Sequence, residues 1–306
     1  MATNNKTLIT VVGPTAIGKT SLSIALAKHF QTEIISCDSR QFYKEMTIGT
    51  AVPKASELAA VPHHFIQNKR IFYPYNVGDF EKEALQTLEL LFAKKNIVIM
   101  VGGSGLYVDA VLKGFDQFPQ IAPTIREKLN IRLKTEGLES LQNQLKKLDP
   151  VTFSTIAIHN PQRVTRALEI CIGSGLPYSS FKNNTKKKRY FNTIKVGLNG
   201  DRQQIYHRIN LRVDQMIADG LIQEAEKLHQ YKHLNALQTV GYKELFTYFE
   251  GNTTKEEAIE EIKKNTRRFA KRQLTWFRKD SDILWFDYQL VKENIIQEIL
   301  KQQHTL

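Results

Sequence analysis

The chain has 306 residues, 42% of them hydrophobic, and 43 Lys and Arg against 31 Asp and Glu leave a net charge of +12. That length and hydrophobic share suit one large packed domain or two modest ones and exclude a disordered chain. Cys37 and Cys171 stand far apart, which excludes a disulfide framework and a paired-thiolate zinc site. The charge is uneven: residues 1–115 carry 12 basic and 9 acidic side chains, and residues 116–306 carry 31 and 22, a bias toward a polyanionic partner, nucleic acid or an anionic membrane.

Met1 to Lys6 leads into the first strand without the apolar stretch of a signal peptide, and no run reaches membrane-spanning length, so a cytosolic, reducing location is expected. Leu8 to Val12 reads as a short buried strand, and Leu22, Ala25, Leu26 and Phe30 recur at helical spacing. Between them lies Gly13, Pro14, Thr15, Ala16, Ile17, Gly18, Lys19 and Thr20, the phosphate-loop pattern. Glycines there let the backbone curl so that amides and the positive helix end face a phosphate or diphosphate. Lys19 adds a formal charge and Thr20 a hydroxyl suited to Mg2+.

Glu33 to Ser36 reads as a second buried strand that delivers Asp38, Ser39, Arg40 and Gln41 to its carboxyl end, the edge where open α/β sheets bind ligands. Residues 44–76 read as loop with at most a short helix near Lys54 to Ala60, and His63 and His64 as loop hydrogen-bonders rather than metal ligands. Phe80, Ala84, Leu88 and Leu91 form a helical stripe, and Ile97 to Val101 a third buried strand. Strand and helix alternating in this way predict parallel βαβ units. The third strand ends in Gly102, Gly103, Ser104 and Gly105, where a water-activating NTPase carries an acidic residue for magnesium.

A helix from Leu106 to Lys113 should stop at Gly114, and Pro119 and Pro123 mark a change of character. Thr124 and Glu127 read as a capping box opening a helix through Ile125, Leu129 and Leu133, followed by the leucine series Leu138 to Leu148. Asn160 and Pro161 predict a capped helix with Val164, Leu168 and Cys171 inward and Gln162, Arg163 and Arg166 on a basic face. Lys182 to Arg189 holds five basic residues in eight and reads as a solvated loop.

Ile194, Val196 and Leu198 return the chain to the sheet. Ile205, Ile209, Val213 and Met216 then form one helical face, and Thr254 with Glu257 a capping box before a long amphipathic helix. On that helix Ile262, Thr266, Phe269, Gln273 and Trp276 share one side, and Lys264, Arg268, Lys271 and Arg278 another. Ile283 to Phe286 reads as a last strand. The expected architecture is an α/β phosphate-loop core with a doubly wound parallel sheet: residues 1–114 its first part, 115–190 a helical insertion, and 191–306 the return to the core with C-terminal helices.

Seven segments together resemble the bacterial tRNA dimethylallyltransferase (tRNA isopentenyltransferase) family: Gly13 to Thr20, Asp38 to Tyr43, Ile48 to Ala51, Pro62 to His64, Val101 to Tyr107, Pro161 to Glu169 and Ala270 to Arg278. They run in order from about residue 8 to about 286. The resemblance implies transfer of a prenyl group from dimethylallyl diphosphate to N6 of the adenosine 3′ of a tRNA anticodon, with Mg2+. It implies catalytic roles for Asp38, Lys19, Thr15, Ser104 and Arg126, with Asp38 as proton acceptor and Arg126 closing over the diphosphate. It also implies tRNA contacts by Asp38 to Gln41, Ser104, Arg126, Gln162, Arg163, Val164, Thr165 and Arg166.

Two positions depart from the family pattern: Ser104 stands where threonine is commoner, and Gln67 where an aspartate is common. The residues alone leave Asp38 open between a base and a helix cap; the resemblance favours the base. A monomer that binds the anticodon stem-loop and no membrane is expected. The competing readings are a phosphate-loop kinase for a nucleotide or small molecule, and an RNA-binding module with a vestigial loop.

Overall fold

The computed structural model describes residues 6–116, 118–182 and 187–304. It divides into two compact units, one of Met1–Lys113 with Lys188–Leu306 and one of Gly114–Lys187.

The larger unit is built on a six-stranded sheet in the order β3-β2-β4-β1-β5-β6, parallel throughout. The strands are β1 (Thr7–Val12), β2 (Ile34–Ser36), β3 (His63–His64), β4 (Ile97–Val101), β5 (Asn192–Asn199) and β6 (Ile283–Asp287). Central strands buried on both faces are mainly apolar, and β1 is apolar at Leu8, Ile9, Val11 and Val12, with Thr7 and Thr10 buried among them. Its Ile9 and Val11 pack toward α1 (Lys19–His29), α9 (Arg202–Ala218) and α13 (Lys292–His304). Its Leu8 and Val12 pack toward Phe80, Ala84 and Leu88 of α3 (Val77–Phe92) and Val108 and Val111 of α4 (Gly105–Lys113). The chain winds to one side of β1 for β2, β3 and β4 and to the other for β5 and β6, the doubly wound arrangement.

His63 and His64, expected in a loop, pair with Ile34 and Ile35 as the edge strand β3. His64 Nε2 lies 2.7 Å from Glu33 Oε2, and His63 Nδ1 2.8 Å from Val61 O. The short helix expected before them is α2 (Ala55–Ala60). Around α10 (Leu221–Leu228), α11 (Tyr242–Phe249) and α12 (Lys255–Phe277) a further core gathers on Tyr242, Leu245, Val213, Leu221 and Ile262. Thr254 and Glu257 form the expected capping box at the start of α12.

The smaller unit is helical: α5 (Pro123–Thr135), α6 (Gly137–Leu148), α7 (Pro150–Thr155) and α8 (Pro161–Ser174). Leu129, Leu141, Leu145, Val164, Leu168 and Cys171 form its core. Asn160 accepts from the amides of Gln162 and Arg163 and Pro161 takes the first helical position, as the sequence predicts. The capping box expected at Thr124 does not form. Ala122 is the N-cap and Pro123 opens the helix, which sets Thr124 one residue inside it.

The smaller unit closes before residue 190 because Arg189 belongs to the larger one. Its Nε donates to Val111 O at 2.8 Å, and its guanidinium to Ala110 O at 2.7 Å and Glu81 Oε1 at 2.8 Å. Arg189 is therefore no part of a solvated basic loop. Lys187 and Lys188 are exposed; residues 183–186 of that run lie outside the described residues.

Candidate active site

The carboxyl ends of β1, β2 and β4 stand level, with Val11 paired to Val101 and Val101 to Ser36. The phosphate loop, Asp38 and the turn at Gly102 to Ser104 therefore emerge on one edge. The loop needs its glycines. At φ +142° Gly13 packs so closely on β5 that a Cβ would meet Leu198 O at 2.6 Å. Gly18, at φ +106°, opens α1 with no side-chain cap, and no acidic residue stands in the first turn. The α1 amides are thus open to an anion that the chain does not itself supply.

Lys19 Nζ folds back on the loop and donates to Pro14 O at 2.7 Å. Burial of the amine lowers its pKa to about 8, with the Asp38 charge opposing the shift and the Arg212 guanidinium adding to it. A diphosphate would relieve that burial cost by replacing lost hydration with opposite charge.

Asp38 is not a helix cap, because residues 39–42 are turn. Its Oδ1 accepts from Arg40 N at 3.1 Å, and the other carboxylate oxygen is left for another donor. Ser104 Oγ accepts from Ser39 N at 3.2 Å and lies 3.1 Å from Ser39 Oγ, tying the β4 turn to the Asp38 turn. Arg212 of α9, half-buried, approaches Thr15 Oγ1 at 3.4 Å, and burial lowers its pKa while Asp38 opposes the shift. Beside it Arg208 donates to Ala16 O at 2.9 Å.

Gln273 of α12 is bonded to the glycine turn after β4, the strand end at which a phosphate-loop NTPase carries its magnesium-holding acid. Its Oε1 accepts from Thr15 N at 2.9 Å and its Nε2 donates to Gly103 O at 3.0 Å.

Two cavities meet at these residues. One, of about 700 Å³, is lined by the loop from Thr15 to Ser21 and by Arg208. The other, of about 630 Å³, is lined by Ser39, Ser104, Leu106, Phe269, Arg272 and Trp276. Thr15, Asp38, Arg212 and Gln273 line both. The structure thus brings together Thr15, Lys19, Asp38 and Ser104 from the residues read in the sequence. It adds Arg208, Arg212 and Gln273, which that reading did not single out as site residues. The only sequence signal for the two arginines is their spacing of four on one helix, which sets them on a common face.

Arg40 and Gln41 have structural commitments. Arg40 donates to Asn235 O and Ala236 O, both at 3.1 Å. Gln41 Nε2 donates to Thr50 O at 3.2 Å and Ala51 O at 2.9 Å.

In the smaller unit, Arg126 and Arg166 share Glu169 Oε2 at 2.7 and 3.1 Å. Arg166 lies over Phe118, Phe118 stacks on Tyr178 with ring centroids 4.7 Å apart, and Lys182 lies over Tyr178. Gln162 and Arg163 are exposed beside them. Val164 and Thr165 are buried in the helix's inner face. Their side chains therefore hold the core of this unit and are not presented to a partner.

A sequence profile for IPP transferases matches residues 41–280. The chain belongs to the IPP transferase family. Among relatives, it is 59% identical over 302 residues to a tRNA dimethylallyltransferase of Flavobacterium johnsoniae, covering 97% of this chain and 98% of that one. The full-length tRNA isopentenylpyrophosphate transferase of Bacillus halodurans superposes with a TM-score of 0.72 at 38% identity, over 98% of each chain. A eukaryotic dimethylallyltransferase acting on tRNA gives a TM-score of 0.76 at 28% identity, over 92% of this chain and 74% of that one. Among the described residues no helix is long and apolar enough to cross a membrane.

Proposed function

We propose that the protein transfers the dimethylallyl group of dimethylallyl diphosphate to N6 of the adenosine 3′ of a tRNA anticodon (position 37), releasing diphosphate. The observation that carries this reading is the shared wall. An anion cavity and a second cavity lined by Phe269, Arg272 and Trp276 meet at Thr15, Asp38, Arg212 and Gln273. The turn after β4 carries glycines and a serine and is bonded at Gly103 O by the neutral amide of Gln273, whereas phosphoryl transfer on a phosphate loop uses an acidic residue at that strand end to hold magnesium. That counts against the kinase reading, as do the tRNA-transferase names carried by relatives at high identity.

In the reaction the bond from the allylic carbon to its diphosphate oxygen breaks as the bond from that carbon to N6 forms. The departing electron pair stays on diphosphate, held by the α1 amides, Lys19 and Arg212. The N6 proton passes to Asp38, a residue that lines both cavities. Thr15 supplies a hydroxyl at the shared wall and Ser104 one in the second cavity, Ser104 also holding the Asp38 turn in place.

The donor set fits Mg2+. The Thr20 hydroxyl is a hard oxygen lining the same cavity as Lys19, and magnesium is commonly held by few protein oxygens together with phosphate oxygens and water. When bound, the ion neutralises charge on the leaving diphosphate.

The target adenine must leave its stack to reach an enclosed centre. The exposed cations and stacked rings of the smaller unit, with Gln162, Arg163 and Arg166, suit the tRNA backbone and unstacked bases. Arg126, held on Glu169 Oε2 in this structure, keeps the anion-binding role that the family resemblance implies.

The test offers purified protein, Mg2+ and tRNA either ATP or dimethylallyl diphosphate. Diphosphate release that depends on both tRNA and the allylic donor is expected. ATP consumption without prenyl transfer would return the kinase reading.

A further inference from the structure

The two halves of the reaction centre come from different strands. Thr15 belongs to the loop after β1, which holds the leaving group, and Gly103 to the turn after β4, whose Ser104 is bonded to the Asp38 turn. A single side chain joins them. Gln273 is 5% exposed, and it reaches Thr15 N and Gly103 O with the two ends of one rigid amide.

The fit leaves no slack, since a Cβ on Gly103 would lie 2.1 Å from Gln273 Nε2. One turn further along α12, Trp276 clamps the same β4 turn. A Cβ on Gly105 would lie 2.3 Å from its ring, and its Nε1 donates to Asp109 Oδ2 at 2.9 Å. α12 is thus docked on the turn at two successive points and on the phosphate loop at one.

We infer that Gln273 is a positioning residue that sets the spacing between the leaving-group half and the proton-acceptor half of the site. The inference rests on the transfer reaction proposed above. The Thr15 amide is spent on Gln273, so anion binding falls to the later loop amides, Lys19 and Arg212, none of which is hydrogen-bonded to Gln273. Substitutions at Gln273 should therefore leave diphosphate affinity nearly intact and slow the chemical step, because a misplacement of about 1 Å between reacting groups costs on the order of a hundredfold in rate.

The experiment measures single-turnover prenyl transfer at saturating tRNA and donor, alongside inorganic diphosphate affinity by calorimetry, for wild type, Gln273→Ala and Gln273→Glu. Gln273→Glu keeps an acceptor for Thr15 N but sets a carboxylate oxygen against Gly103 O. For both variants the expected result is a rate lower by roughly 10- to 100-fold with diphosphate affinity within about threefold of wild type.

A rate within twofold of wild type would overturn the inference. So would parallel losses of rate and affinity, which would mean that the loop has merely collapsed. If Gln273→Ala gives no cooperative melt, Gln273→Glu decides by the same criteria. A wild-type protein that forms no prenylated tRNA would contradict the transfer reaction itself, whereas the inference about Gln273 fails only when wild type is active and the variants match it.

Discussion

Lys19 shows most plainly which charge the phosphate loop is built to receive. Its folded-state pKa of about 8 lies below the ordinary 10.5 because the amine is buried. Between those values the unfolded chain holds a proton that the folded chain lacks. This group's contribution therefore favours folding increasingly as pH rises through that window, and disfavours it below. Diphosphate reverses the shift, so binding at about pH 8.5 should take up protons in wild type beyond those taken up by Lys19→Met. Calorimetry in buffers of different ionisation enthalpy measures the difference, and equal uptake would remove Lys19 from the anion site.

Asp38 is tested by Asp38→Asn. Asparagine keeps the turn bond to Arg40 N but cannot accept a proton. Single-turnover transfer should fall by roughly two to four powers of ten with the melting temperature nearly unchanged. A rate near wild type would leave the proton acceptor elsewhere.

At the scale of elements, the loop lining both cavities is pinned from outside. Glu224 of α10 accepts from the amides of Thr47, Ile48 and Gly49 at 3.0, 2.9 and 2.9 Å and from Tyr242 Oη at 2.7 Å. Glu224→Gln replaces an acceptor with a donor facing those donors. It should cost about 2 kcal/mol in urea unfolding and raise the KM for the allylic donor.

Arg189 illustrates what sequence can and cannot convey. Read inside Lys182 to Arg189 it is one charge in a solvated run, yet only 11% of its side chain is exposed beside Glu81. Arg189→Ala should destabilise by about 3 kcal/mol and leave the salt dependence of tRNA binding unchanged. Replacing Lys182, Lys187 and Lys188 together by alanine should flatten that dependence and spare stability. The strands, the phosphate loop and the Asn160 cap were legible because each carries a local signal of apolar runs, glycine spacing or a capping residue. β3 was too short to show a period. Arg212 and Gln273 reach the site from helices nearly two hundred residues or more beyond the loop, so only tertiary docking brings them in.

Over the whole molecule, the sheet gathers three strand ends into one edge, and α9 and α12 complete it with a half-buried arginine and a neutral amide. The helical unit adds a cationic and aromatic face, with Arg166 over Phe118 and Lys182 over Tyr178. Most of the net charge of +12, namely +9 from 31 basic and 22 acidic side chains, lies in residues 116–306, which span the helical unit and the C-terminal part of the larger one. Such a molecule suits an allylic diphosphate on one side of Asp38 and a flipped base on the other. The most direct test is nucleoside analysis by mass spectrometry of tRNA incubated with the protein, Mg2+ and dimethylallyl diphosphate. The account predicts N6-dimethylallyladenosine at the position 3′ of the anticodon, formed in equal amount with released diphosphate. Diphosphate released with the tRNA nucleosides unchanged, or a prenyl group on another base, would contradict it.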